Sequence, residues 1–324
     1  MPRLSESELL SLLKTVSRSF YLSVRCLPGR IRATIAAGYL IARASDSIAD
    51  TNQLEADRRL SALSALDASL REFQGDLTPE IHACLAAHPD GAERALLASL
   101  EKILDFRRDL PARHRELLVD VLTKIIHGQS LDIQRFGGAA GSRALQTEDE
   151  LDEYTYLVAG SVGEFWTKLC LGEWKSYSRI SGSEIVRLGV EFGKGLQLIN
   201  ILRDFPADVT AGRSYLPVAD PAALRNDLET ARDLYNRWHQ KAVGLMQSAW
   251  RYIHAVRPTR VRFSCALPVL IGVRTLGRLR RMSGMVPGVK VTRAEVYWLG
   301  ALAMIVAVAP AAESAVYRRE FERN

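Results

Sequence analysis

Two acidic clusters in this chain have the spacing of a helix face. In RIRATIAAGYLIARASDSIADT, residues 30–51, Tyr39, Arg43, Asp46 and Asp50 follow one another at steps of four, three and four, which stacks all four side chains along one stripe. Ile35, Ala36, Leu40, Ala42 and Ile48 beside them are apolar, and carboxylates among apolar neighbours need a compensating cation or lose their charge. A local salt bridge from Arg43 to Asp46 or Asp50 is the plain alternative to a ligand site. In SEIVRLGVEFGKGLQLINILRDFPAD, residues 183–208, Gln197, Asn200, Asp204 and Asp208 repeat the pattern at steps of three, four and four. Buried Asn and Gln side chains demand hydrogen-bond partners, so beside an Asp pair they could orient water, metal or a phosphate oxygen. Pro206 removes a backbone donor and can kink the axis between the two acids.

Two Asp pairs facing each other across a helical bundle would form an oxygen-only site suited to hard divalent cations. Magnesium keeps several waters and is held by one or two carboxylates plus substrate phosphates, so sparse protein ligands suffice, and manganese could substitute on ligand type alone. Diphosphate is the natural guest, because a cation there stabilises the leaving group as a carbon–oxygen bond ionises. Iron is disfavoured: a di-iron bundle wants Glu and a Glu-x-x-His pattern, and none of the six histidines sits in one. Ser17, Arg18, Ser19 and Phe20 offer hydroxyls and a guanidinium as a phosphate clamp, or equally a helix cap with an exposed Arg. In YTYLVAGSVGEF, residues 154–165, Gly160 and Gly163 permit close helix approach, and Tyr154, Val158, Ser161 and Phe165 share one α-helical face. A cation would be welcome on that face.

Helices must position these residues. Apolar residues recur at three-and-four steps, as in Leu9, Leu12, Leu13 and Val16 or Leu60, Leu63, Leu66 and Leu70, while strand alternation is scarce. Breaks at Pro28-Gly29, Gly75 to Pro79, Pro89 to Gly91, Gly137 to Gly141, Gly182, Gly212 to Pro217, Pro258 and Pro287-Gly288 punctuate about a dozen helices. With no linker, repeat or low-complexity tract, residues 1–324 read as one all-α domain. The 48% hydrophobic and 25% charged content excludes disorder. An excess of six basic over acidic residues suits anionic ligands or an acidic membrane surface, without the dense basic runs of a nucleic-acid binder. Cys26, Cys84, Cys170 and Cys265 lack CxxC spacing, so neither a disulfide framework nor a zinc site is implied, and a reducing cytoplasm fits. MPRLSESELL lacks the basic head and apolar middle of a secretory leader, so export is not expected. The apolar stretch VYWLGALAMIVAVAP, residues 296–310, is short of the roughly 20 residues a spanning helix needs and reads as a buried core helix, with rest on a membrane surface as the alternative.

SRSF at 17–20, YLIARASDSIAD at 39–50, YTYLVAGSVGE at 154–164, LQLINILRDFPAD at 196–208 and GRSYLP at 212–217 together resemble the squalene and phytoene synthase family, the head-to-head prenyl transferases. The resemblance covers most of the chain and implies a single layered bundle of helices, an isoprenoid synthase fold with a deep central cavity. It implies that Asp46, Asp50, Asp204 and Asp208 bind magnesium. Phe20, Tyr39, Arg43 and Arg203 then line or bind the diphosphate site, Ser17 and Ser19 belong to its entrance segment, and Gln197 and Asn200 are polar residues beside the second motif. Tyr154 matches a tyrosine that handles a proton or steadies a carbocation, and Arg213 a basic residue reaching diphosphate or nicotinamide-cofactor phosphates.

Two departures are visible: Ser47, Ala49 and Ala207 stand where many members carry extra acids, leaving two per motif, and Phe205-Pro206 replaces more helix-friendly residues. SRSF followed by YLIARASDSIADT looks more like the squalene synthases, whereas NILRD and GRSYLP are shared with phytoene synthases. The activity so implied joins two farnesyl diphosphates through presqualene diphosphate, with NADPH reduction to squalene. The alternatives are synthesis of phytoene, dehydrosqualene or presqualene diphosphate without reduction and, from another class, a non-catalytic assembly protein of the same fold. Lys290 and Arg293 in VKVTRAEV lie near where squalene synthases place basic cofactor contacts, alongside Asn200, Arg203 and Arg213; solvated surface charge is the alternative for the first two. No GxGxxG follows a strand, so NADPH would bind without a Rossmann device. Farnesyl diphosphate is the expected partner, with peripheral contact to the inner face of a membrane and no nucleic acid; oligomeric state is not legible.

Overall fold

Fifteen α-helices, one π-helical turn and two strands of two residues each make up the secondary structure of the described residues. A computed structural model describes residues 4–51, 53–72, 78–87, 91–137, 142–281, 287–309, 315–317 and 321, with the side chains of Arg18 and Ser19 outside the description. The chain divides into two compact units, Met1–Gly138 with Lys168–Glu173, and Ala139–Thr167 with Trp174–Asn324.

The first unit contains α1 (Glu6–Val16), α2 (Arg18–Cys26), α3 (Gly29–Ala49), α4 (Ala56–Arg71), α5 (Pro79–Ala87), α6 (Gly91–Ala98), α7 (Leu100–Arg107) and α8 (Ala112–Phe136). Its first helix is opened by a capping box in which Ser5 and Glu8 satisfy each other's backbone N–H groups. Pro28 stands at the N-cap of α3, where its lack of an N–H costs nothing. This helix is the unit's axis: Ile31, Ile35, Leu40, Ile41 and Ile48 are buried, and it packs on α1, α4, α7 and α8. Buried His114 of α8 ties the layers together, hydrogen-bonding Thr34 at 2.8 Å and Glu173 at 3.1 Å.

The second unit runs from β1 (Arg143–Ala144) through α9 (Glu148–Thr155), a π-helical turn (Tyr156–Gly160), α10 (Ser161–Glu173), α11 (Gly182–Thr210), β2 (Arg213–Ser214), α12 (Ala223–Asn226), α13 (Leu228–Ala255) and α14 (Thr259–Arg281) to α15 (Arg293–Val308). The last six residues of α10 belong to the first unit. Two parallel pairs, Arg143 with Arg213 and Ala144 with Ser214, join the strands. Ser181, Asp227 and Thr292 cap α11, α13 and α15 through their side chains, which satisfies orphan N–H groups at each start. Leu188, Leu198 and Leu202 of α11 are buried with Tyr235, Trp238 and Met246 of α13, the two most extensively paired helices.

The helix expected through Pro206 is present, α11 continuing to Thr210. One sequence reading changes. The 296–310 stretch is a core helix on one side only: Leu299, Leu302, Ala303, Val306 and Ala307 are buried, but Tyr297, Met304, Ile305 and Val308 are exposed. Pro310 lies outside the described residues. No helix among the described residues is long and apolar enough to cross a membrane.

Candidate active site

The first acidic motif occupies the last two turns of α3. Arg43 forks between two carboxylates, with one terminal nitrogen on Asp46 and the other on Glu93 of α6. The hydroxyl of Ser47 donates to the second Glu93 oxygen at 2.9 Å and to the Arg43 carbonyl at 3.0 Å. Asp50 is the C-cap residue and exposed. Partial burial and the nearby Asp50 and Glu93 charges push the Asp46 carboxyl up to about 6, against the pull of Arg43. Toward the other end of the stripe, the Tyr39 ring stacks on Phe20 of α2 with centroids 4.3 Å apart. Ser17 holds the N-cap position of α2 but makes no side-chain capping bond, and the side chain of Ser19 lies outside the described residues.

The second motif, on α11, has a different electrostatic form. Arg203 grips its neighbour Asp204 through two parallel bonds, Nε to Oδ1 at 2.9 Å and Nη2 to Oδ2 at 2.7 Å. Asp208 is buried, its side chain 7% exposed, and accepts from Arg213 Nε at 2.7 Å. Burial raises the Asp208 carboxyl above the usual range, while the Arg213 hydrogen bond holds it down. The same guanidinium lies 5.9 Å from the centroid of Tyr215, whose ring stacks on Tyr154 at 5.1 Å. A column of Asp208, Arg213, Tyr215 and Tyr154 results. Asn200 is exposed, not buried as its place in the stripe suggests, and donates to Gln197 at 3.5 Å.

The glycines of YTYLVAGSVGEF serve packing. A Cβ on Gly163 would stand 1.8 Å from the Gly189 carbonyl oxygen, and one on Gly193 2.1 Å from the Ala159 oxygen. Backbone therefore meets backbone along this part of α11. Tyr156–Gly160 is π-helical, with i→i+5 bonding that breaks the 3.6-residue period. The shared α-helical face expected for Tyr154, Val158, Ser161 and Phe165 is interrupted for that reason; Ser161 and Phe165 are buried. Beyond the turn, the Tyr156 hydroxyl donates to Glu164 at 2.7 Å, and Lys194 bonds both Asp152 oxygens at 2.7 Å.

Lys290 and Arg293 are exposed at the start of α15, where the Lys290 carbonyl accepts from Arg278. Sequence reasoning missed Glu93, since nothing in spacing links it to Arg43 fifty residues earlier. It also passed over Tyr215, although that residue lies within the quoted GRSYLP.

The second unit thus pairs its aspartates with guanidinium groups in an ordered set of motifs, and a family model described as squalene/phytoene synthase matches residues 13–297. The chain belongs to the squalene/phytoene synthase family. It is 26% identical over 276 residues to squalene synthase ERG9 of Saccharomyces cerevisiae, an alignment covering 82% of this chain and 59% of the yeast protein. It is 29% identical over 215 residues to the bifunctional lycopene cyclase/phytoene synthase of Pyrenophora tritici-repentis, covering 65% of this chain and 34% of that one. The chain therefore spans less than two thirds of the length of these relatives. Among solved structures, TcSQS in complex with a ligand superposes with a TM-score of 0.77 at 20% identity, over 98% of this chain and 91% of that one. Squalene synthase HpnC from Alicyclobacillus acidocaldarius gives a TM-score of 0.62 at 20% identity, over 87% and 95%. These likenesses establish the fold as the all-α one of the squalene synthases. The family is one of head-to-head prenyl transferases, which supports an enzyme of isoprenoid biosynthesis.

The family implies a divalent metal, and the donor set fits one. Both motifs present only carboxylate oxygens, the choice of hard cations. Asp46, crowded by Asp50 and Glu93, is a carboxyl short of positive charge. Among the described residues no three acidic, His or Cys side chains gather as a ready-made metal site, so solvent or substrate oxygens would have to complete any coordination shell.

Proposed function

We propose that this chain condenses two farnesyl diphosphates head to head, through presqualene diphosphate, and reduces the product to squalene with NADPH. The observation supporting the reading is that each aspartate motif carries its own guanidinium: Arg43 on Asp46, Arg203 on Asp204 and Arg213 on Asp208. Asp46, Asp50, Asp204 and Asp208 are the proposed magnesium ligands, with manganese acceptable to the same oxygens. When bound, the cation supplies Lewis-acid neutralisation of diphosphate.

The chain's own residues have separate roles in this reading. Arg43, Arg203 and Arg213 exchange a carboxylate for diphosphate oxygens, a planar fork suited to either partner. Phe20 and Tyr39 form an aromatic wall beside the first motif, with Ser17 and Ser19 on the entrance segment, and Gln197 and Asn200 offer amides beside the second. Tyr154 is the proposed proton handler, held by its stack on Tyr215, and the ring faces favour a passing carbocation. Nicotinamide-cofactor phosphates require cationic and amide donors, and Asn200, Arg203, Arg213, Lys290 and Arg293 are the proposed set.

Incubating purified protein with farnesyl diphosphate and magnesium, with and without NADPH, tests the reading. Squalene formed only with NADPH supports it. Dehydrosqualene or presqualene diphosphate as the end product regardless of NADPH rejects the reductive step but keeps the condensation; no product in any arm rejects both.

A further inference from the structure

Exposed apolar residues are concentrated on one helix. Of the seven large hydrophobic side chains that stand exposed among the described residues, four belong to α15: Tyr297 at 72%, Met304 at 48%, Ile305 at 41% and Val308 at 60%. At about 100° per residue they fall, with Arg293 and Ala301, within an arc of roughly 120°. The opposite arc carries the buried residues that face α14. From Val296 to Val308 the sequence has no charged residue. The helix is thus apolar on both faces and covered on one.

Its N-terminal end is basic. Arg293 begins the exposed arc, Lys290 precedes it, and Arg280 and Arg281 end α14; all four are exposed. Arg278 brings the two helix ends together, bonding Glu295 at 2.7 and 2.8 Å and the Lys290 carbonyl. Glu295, with Arg274 also 4.0 Å away, is therefore neutralised within this end.

We propose that α15 docks the protein on an anionic lipid bilayer, with Tyr297, Met304, Ile305 and Val308 among the outer acyl segments and Arg280, Arg281, Lys290 and Arg293 on headgroup phosphates. The stripe from Tyr297 to Val308 is about 16 Å long, half the roughly 30 Å of a hydrocarbon core, so the helix lies along the interface and does not cross it. A tyrosine at the polar end of the stripe matches the headgroup level. Charge favours lipid over a second copy of the chain, because the stripe from Val296 to Val308 carries no acid that could meet the four basic side chains, whereas headgroup phosphates do. Lys290 and Arg293 are the side chains proposed above for cofactor phosphates, so lipid and cofactor compete for those two, whereas Arg280, Arg281 and the apolar stripe belong to this inference alone.

Vesicle co-sedimentation of the full chain tests it. The wild type should bind phosphatidylglycerol-containing vesicles at least roughly tenfold more tightly than pure phosphatidylcholine vesicles. A Tyr297→Ser, Ile305→Gln, Val308→Gln triple variant should lose roughly tenfold or more of that binding with an unchanged thermal melt. Arg280→Glu with Arg281→Glu, which leaves the apolar stripe intact, should abolish the preference for anionic vesicles, and it decides the matter if the triple variant melts early. The proposal is overturned if the wild type ignores anionic vesicles or if folded variants bind as the wild type does. It also fails if saturating NADPH releases the protein, which would make the basic end a nucleotide site, or if sedimentation velocity shows a dimer that the triple variant dissociates without loss of vesicle binding.

Discussion

On α3 one guanidinium, Arg43, is shared between Asp46 of its own helix and Glu93 of α6, whereas on α11 Asp204 and Asp208 each have an arginine, Arg203 and Arg213. The first cluster carries more acid than its arginine can balance, and burial first, then the neighbouring Asp50 and Glu93 charges, push the Asp46 carboxyl up to about 6. The second is balanced in place. Under the proposed reading the two motifs would meet an incoming cation in opposite ways: the α3 motif lacks positive charge, and the α11 motif would have to release some. Helical spacing, which is nearly identical in the two, does not reveal this difference.

The largest effect should come from removing one acid of either motif. Asp46→Asn and Asp204→Asn should each lower product formation from farnesyl diphosphate roughly a thousandfold; if one variant keeps nearly full activity, its motif is not a metal site and the comparison ends there. A smaller, structural loss distinguishes the scaffold under the second motif. Gly163→Ala places a Cβ 1.8 Å from the Gly189 carbonyl oxygen, and urea unfolding should show a loss of about 3 kcal/mol.

Acid dependence sharpens the contrast in the metal-free protein. The folded Asp46 carboxyl, at about 6, lies above its ordinary value of 3.8. Its favourable contribution is fully present below that ordinary value and is lost as pH rises through about 6. Asp46→Asn should therefore match the wild type in melting near pH 4 and exceed it at pH 7, by no more than about 1 kcal/mol because the half-buried side chain keeps 42% of its surface in solvent. Asp208→Asn should not show that gain, since it leaves Arg213 without its carboxylate. The smallest effect is expected from Glu93→Gln: with one negative neighbour gone, carbon-detected NMR titration should find the Asp46 carboxyl displaced downward, and no displacement would mean that burial alone raises it.

The all-helical architecture was legible because apolar periodicity and Pro or Gly breaks report local geometry directly: Pro28, Pro79, Gly91 and Pro258 stand at or beside observed helix starts. The Arg43 to Asp46 bond was legible for the same reason, as a three-residue step on one helix. Glu93 was not, because its meeting with Arg43 depends on tertiary packing. The burial of Asp208 and the exposure of Asn200 differ although both were placed on one stripe, since a stripe predicts direction and not what covers it. The π-helical turn at Tyr156–Gly160 was missed because a reading at 3.6 residues per turn cannot register one extra residue.

The contact that joins Gly163 to Gly189 and Gly193 to Ala159 is made by main chain on both sides. No side chain there can be trimmed or enlarged to retune the packing, so the spacing of these two segments is the dimension least open to change.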